Sequence, residues 1–352
     1  MNTVKPSRIN QAGALALIGL AVGGLAAGFA YAAGWFGPAR LTPQNIIDAF
    51  EANAGSYPGY RKNHAKGICI VGHFESNGEA SHLSRASVFA KGEVPVTGRF
   101  SIGGSNPYAP DAAVTTRSMA LLFQMPGGEQ WRTAMNTPPL LPVATPEAFF
   151  EQVLASRPDP ATGKPDPAKL QAFFAAHPES AAFRKWAESS KPSNSFANIP
   201  YHGVNAFRLV EPDGTGHFVR WSVQPQAPFE PLGEAGKDPD FLAHDLQQRL
   251  QQGPLRWKLL LTLAEPGDPT ADPTQQWPTS RRQIDAGTLV IEQAEAQADG
   301  ACRDINFDPL VLPAGIEASD DPILSARSAA YAVSFNRRTR EGAPVNHQGE
   351  QP

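Results

Sequence analysis

Cysteine is nearly absent from this chain, with two in 352 residues, Cys69 and Cys302. Two cysteines cannot build a disulfide scaffold or a four-cysteine metal site. They read as plain buried residues, with a single disulfide left open to them in an oxidising compartment. Basic excess is also missing, since 30 Lys and Arg against 34 Asp and Glu leave a net charge of −4. A nucleic-acid partner needs a concentrated basic surface and is excluded on that ground. The phosphate-cradling loop GxxxxGK[ST] and the patterns His-Glu-x-x-His, Gly-x-Ser-x-Gly and Cys-x-x-Cys do not occur, and the 8 histidines are scattered without ligand spacing. Cys-x-x-Cys-His is missing too, which rules out covalent attachment of a c-type haem.

Charge is lacking altogether between Ile9 and Ala39. Within that stretch Ala12–Phe36 is an almost unbroken Ala, Gly, Leu and Val run, longer than the roughly 20 apolar residues that span a bilayer core. A cleaved signal has a shorter apolar region, about 7–15 residues, although Ala30-Tyr31-Ala32 offers a small-x-small cleavage site. Run length favours an uncleaved anchor. Lys5 and Arg8 precede the span, so the positive-inside rule keeps the N-terminus cytoplasmic and exports the chain beyond Arg40 to the periplasmic side of the inner membrane. Residues 1–40 are thus expected to be anchor or signal, 41–340 a folded domain, and 341–352 a disordered polar tail.

What is abundant is punctuation, 34 Pro and 31 Gly, in a chain that is 41% hydrophobic and 18% charged. Such a chain buries a core but cannot be a coiled coil or helical repeat. Thr42-Pro43, Thr145-Pro146, Asp166-Pro167 and Asp321-Pro322 each read as an N-cap followed by proline at the first helical position. Phe241–Gln252 reads as a helix stopped by Gly253. Apolar runs at 68–71, 118–125, 206–210, 217–223, 257–263 and 288–291 read as strands, two of them joined across Pro212-Asp213-Gly214. Strands with short hairpins and inserted helices give an α+β class, a mainly antiparallel barrel or sheet.

Two segments carry chemistry. Arg61-Lys62-Asn63-His64-Ala65-Lys66-Gly67 precedes the first strand, and Arg327-Ser328-Ala329-Ala330-Tyr331 lies on the last helix, with Arg338 seven residues further on. Arg327, Tyr331 and Arg338 share one helical face at these spacings. A phenol with an ordinary pKa near 10 is a poor iron ligand at neutral pH; a guanidinium one turn away and a ferric ion both favour its phenolate. Either segment alone would pass for a surface histidine loop or an ordinary amphipathic helix.

Together, and in order with Arg99-Phe100-Ser101, Arg117–Phe123, Asn136-Thr137-Pro138, His202–Phe207 and Phe307-Asp308-Pro309, they resemble the haem catalase family over residues 42–340. The resemblance implies a catalase-like antiparallel barrel that binds haem b, with Tyr331 as the axial iron ligand. It implies that His64 is the distal acid–base, moving a proton from the inner to the departing oxygen of a hydroperoxide. Ser101 would fix the tautomer of His64 from its far ring nitrogen. Arg61 and Arg338 would serve the haem propionates, Arg99 the propionates or structure near them, and Arg327 the tyrosine. Neighbouring Lys62 and Lys66 would help Arg61 keep His64 neutral.

Two departures bear on activity. The family's distal Asn-Asn pair reads Met135-Asn136, so either Asn136 takes the role by a one-residue slip or the distal amide is lost. The chain also lacks the long arms of full-length catalases, which widens access to the haem. Both point to a peroxidase acting on organic hydroperoxides with a small-molecule reductant, rather than to a true catalase. The resemblance also allows a homodimer. Rival readings are a haem hydroperoxide isomerase of the allene-oxide-synthase kind, or a non-catalytic, membrane-anchored haem-binding protein.

Overall fold

The computed structural model describes residues 11–32 and 40–342 and divides into two units, residues 1–42 and 43–352. The first unit contains α1 (Gln11–Ala32), and within it Gly13–Tyr31 is long and apolar enough to cross a membrane. The end of the expected span, residues 33–36, lies outside the described residues, as does the expected tail from residue 343.

The second unit runs through α2 (Pro43–Ala54), β1 (Gly67–Ser76), β2 (Gly92–Ile102), β3 (Arg117–Gln124) and β4 (Gln130–Asn136). Three helices follow, α3 (Pro146–Ala155), α4 (Pro167–Ala176) and α5 (Ala181–Ser189). Then come β5 (Tyr201–His202), β6 (Phe207–Val210), β7 (Gly216–Pro225), α6 (Phe241–Gln252), β8 (Leu255–Leu263), β9 (Gln283–Ala296), β10 (Ile316–Ala318) and α7 (Pro322–Glu341). The expected caps form: Thr145, Asp166 and Asp321 each accept an N–H of the first turn, with proline next in the chain. These side chains satisfy donors that a helix start leaves orphaned.

All pairings are antiparallel. Strands β5-β4-β3-β2-β1-β9-β8 run side by side, and β7 pairs with both β5 and β8, closing an eight-stranded barrel. Strands β6 and β10 extend one edge of β7. Closure leaves few unpaired strand edges, which suits a chain this rich in strands. The barrel interior is filled by Ile68, Ile70, Phe100, Met119, Met135, Trp131, Trp221 and Trp257, all buried. Strands β2 and β4 escape a reading of apolar runs, because Gly92, Pro95 and Gly98 interrupt the first, and Arg132, Thr133 and Asn136 the second.

Alternation along a strand decides what lies outside the barrel. In β1–β4 the interior residues alternate with Cys69, Arg99, Ser101, Ser118, Ala120, Ala134 and Asn136. The register matches these across strands: Cys69 pairs with Arg99 and Arg99 with Ala120, while Ser101, Ser118 and Asn136 form one row. That outer wall is where the chemistry collects. One expected boundary moves: Glu341 is not tail but the last residue of α7, where its carboxylate holds Lys62 at 2.7 Å.

Candidate active site

A cavity of about 240 Å³ lies against the outer face of β1–β4, walled by α2, α3, α7 and residues 305–307. His64, Arg61, Arg99, Ser101, Arg327, Tyr331 and Arg338 all line it, together with Ser118 and Asn136. Most of the remaining wall is apolar, including Ile46, Phe50, Leu141, Phe149, Ile323 and Phe335.

His64 is held in an unusual conformation. Its φ of 53° is the only positive value outside glycine among the described residues. This left-handed geometry is uncommon for a side-chain-bearing residue and persists where surroundings over-determine it. Here Asn63 does so: its Oδ1 accepts the His64 N–H at 2.8 Å and the Gly104 N–H at 3.0 Å, and the next residue, Ala65, donates to the Gly104 carbonyl. The imidazole faces the cavity and is otherwise enclosed by protein. Burial first, then the Arg99 and Arg327 guanidinium groups, push its pKa down to about 4. The nearby lysines are already engaged elsewhere. Lys62 is paired with Glu51 and Glu341, and Lys66 with Asp111 and Asp240. The expected role of Arg61 and the lysines as the cations beside His64 is therefore corrected to Arg99 and Arg327.

The tautomer is set from a different strand than expected. Ser118 Oγ lies 3.1 Å from His64 Nδ1 and donates to Asn136 Oδ1 at 2.5 Å. With its one hydroxyl proton given to Asn136, Ser118 is left to accept from Nδ1–H, and the ring also bonds the Ile102 backbone. Ser101 is buried on the same wall, opposite Ser118 in the register, but forms none of these bonds. A hydroxyl on β3 therefore takes the place expected of the one on β2. The row also bears on the Asn-Asn departure. Met135 points into the barrel core, while Asn136 reaches the cavity with its amide N–H groups free to donate.

The other end of the cavity is cationic. Arg61 donates to the carbonyls of Cys302 (3.0 Å) and Ile305 (3.0 Å), Arg338 to that of Arg303 (2.7 Å), and Arg99 to those of Ala65 (3.1 Å) and the Gln297 side chain (2.6 Å). These acceptors are neutral, and no carboxylate lines the cavity among the described residues. Burial lowers the pKa of each, Arg61 to well below the usual range with help from Arg99 and Arg338, and Arg99 to about 9 with help from Arg338, while the Asp304 carboxylate acts the other way on Arg61 and Arg338. Arg99 Nε is buried without a partner. Gathering cations in a dry site is costly unless an anion joins them. Gly67, the last residue of the histidine motif, makes the arrangement possible: a Cβ there would lie 2.6 Å from the Arg99 guanidinium carbon.

Arg327 donates to the Ala134 carbonyl at 2.9 Å and to Asn205, which in turn donates to the helix-capping Asp321 at 2.7 Å. Tyr331, one turn along, packs against a buried cluster of Leu122, Phe307, Cys69 and Cys302. The two cysteines are not free but joined in a disulfide. The alternative of plain buried thiols is thereby overturned. Pairing across 233 residues depends on the barrel bringing β1 beside the segment that leaves β9.

A largely apolar cavity lined by a phenol, a buried imidazole of lowered pKa and three guanidinium groups whose hydrogen bonds go to neutral acceptors fits an iron porphyrin with two carboxylates. The unpartnered Arg99 Nε supports that fit on the chain's own terms. Comparison with known proteins agrees. The family model described as Catalase matches residues 30–348. The chain is 40% identical to a catalase-related peroxidase of Synechococcus elongatus over 92% of its length and 96% of the relative's. It is 37% identical to a catalase-related peroxidase of Mycolicibacterium paratuberculosis over 85% of its length and 95% of the relative's. The structure of a bacterial catalase superposes with a TM-score of 0.72 at 20% identity, covering 90% of this chain but only 65% of that one. Catalase A from Saccharomyces cerevisiae gives 0.72 at 20% identity, over 88% of this chain and 68% of that one.

Proposed function

Because the chain belongs to the catalase family and is an oxidoreductase acting on peroxide, we propose that it is a haem b peroxidase. In this reading it reduces organic hydroperoxides with a small-molecule electron donor and decomposes hydrogen peroxide only weakly. Tyr331 would hold the iron, and Arg61, Arg99 and Arg338 would hold the carboxylates. Bound haem supplies the redox chemistry of the O–O bond. The chain supplies proton transfer and position. His64 Nε2 takes the hydroperoxide proton and returns it to the departing oxygen. Ser118 orients the ring from Nδ1, and the Asn136 amide is placed to donate to the peroxide.

The observation that carries the reading is a buried His64 of lowered pKa, hydrogen-bonded to Ser118, in the same cavity as Tyr331 and the three guanidinium groups. The apolar wall supports an organic peroxide. The apolar helix and the disulfide together support an exported domain anchored at, or released from, the periplasmic face of the inner membrane. Organisation into an anchor and a single haem domain, free or as a homodimer, completes the reading. Its test is peroxidase and catalase rates measured side by side on haem-loaded full-length protein. Donor oxidation driven by an organic hydroperoxide should exceed oxygen release from hydrogen peroxide, His64→Ala should abolish it, and Tyr331→Phe should change the haem spectrum. A wild-type rate matched by His64→Ala would refute it.

A further inference from the structure

The cationic end of the cavity hangs on one short stretch of chain. Residues 297–305 follow β9, and all three arginines reach it: Arg99 through the Gln297 side chain, Arg61 through the carbonyls of Cys302 and Ile305, Arg338 through that of Arg303. This stretch has no strand or helix of its own to hold it. Besides hydrogen bonds from Gln297 to Ala65 and from Ala301 to Glu295, it is tied by Cys302, bonded to Cys69 on β1, with both cysteines fully buried. Cys69 faces the same side of the wall as Arg99, its partner in the register. The stretch also presses closely on the bridge, since a Cβ on Gly300 would lie 2.8 Å from Cys69 Sγ and 2.8 Å from the Ala296 carbonyl oxygen. Only a glycine permits that approach.

We propose that the Cys69–Cys302 disulfide is a positioning element of the active site: it fixes residues 297–305 so that Arg61, Arg99 and Arg338 point at the carboxylates of the bound cofactor. Carbonyl acceptors orient a guanidinium without neutralising it, so the three groups stay available to an anion. Tyr331 packs against the same disulfide cluster, which extends the bracing to the residue that would hold the iron. The proposal rests on the haem reading above.

The test compares full-length, haem-loaded wild type with Cys69→Ala/Cys302→Ala and with Leu246→Ala, a core substitution on α6 away from the cavity. Haem transfer to excess apomyoglobin and the melting temperature are measured on each. Removing the bridge should speed haem release ~10-fold or more, the scale of lost supporting contacts. Leu246→Ala, though it melts lower, should release haem at the wild-type rate. Equal release by wild type and the double variant, or equal acceleration by Leu246→Ala, would overturn the proposal. Gly300→Ala supplies a second arm that keeps both cysteines: it should also hasten release, and wild-type behaviour there counts against the brace. A wild-type chain that takes up no haem would overturn the haem reading itself, an outcome distinct from uptake followed by unaltered release.

Discussion

Acidification should leave the proton-transfer step working far below the pH at which an ordinary histidine fails. His64 titrates near 4 in the folded protein, against 6.5 for an exposed imidazole. At pH 5 a group with that value is about 90% neutral, whereas an ordinary histidine is roughly 3% neutral, about a thirty-fold difference in competent base. Peroxidase rate, normalised to the folded fraction by circular dichroism, should therefore hold from pH 8 to near pH 5. It should then fall with a midpoint near 4. The same burial carries a stability consequence of known sign. Between 6.5 and 4 the unfolded chain binds a proton at this site that the folded chain refuses, so stability declines as pH falls through that window and is unaffected above it. The full effect is roughly 3 kcal/mol from His64 alone. His202, pushed down to about 4 by burial, adds in the same direction. His64→Gln should flatten part of that slope. A rate profile that halves near pH 6.5 while the protein stays folded would refute the argument.

Ser118→Ala should lower the peroxidase rate by roughly ten-fold, the scale of one orienting hydrogen bond, with little change in melting temperature. Ser101→Ala should do less, and the reverse order would return the tautomer role to β2. Gly67→Ala should destabilise the fold by about 1–3 kcal/mol and weaken haem uptake, because the added carbon meets the Phe100 carbonyl at 2.3 Å and displaces Arg99. Chemical denaturation and haem titration would check it, and an unperturbed uptake would count against Arg99 as a carboxylate partner.

How far these features could be read beforehand depended on their range. The caps at Thr145, Asp166 and Asp321 act within one helical turn, so their sequence signature and their structure coincide. The residues of the histidine and tyrosine motifs converge on one cavity because local spacing and the ordered resemblance both constrain them. Ser118 was hidden for a different reason. Its bond to His64 depends on cross-strand register, where Ser101 and Ser118 are neighbours and only the final ring orientation chooses between them. The Cys69–Cys302 bridge, the Gln297 contact and barrel closure through β7 and β8 are long-range outcomes that no window of sequence contains. Lys62 and Lys66 misled for the same reason, since proximity in sequence to His64 says nothing of the distant carboxylates that neutralise them.

The Lys62 ammonium, 2% exposed, has one of its two carboxylates on the final residue of α7. Glu341 also accepts the Gly59 N–H at 2.9 Å, in the turn that leads into the Arg61–His64 loop. Anyone trimming this domain for expression would be drawn to stop just past Arg338, the last residue with an evident role in the cavity. A chain cut there would leave a buried cation half matched beside its own acid–base loop. The usable boundary is therefore drawn by electroneutrality, three residues later than the chemistry alone suggests.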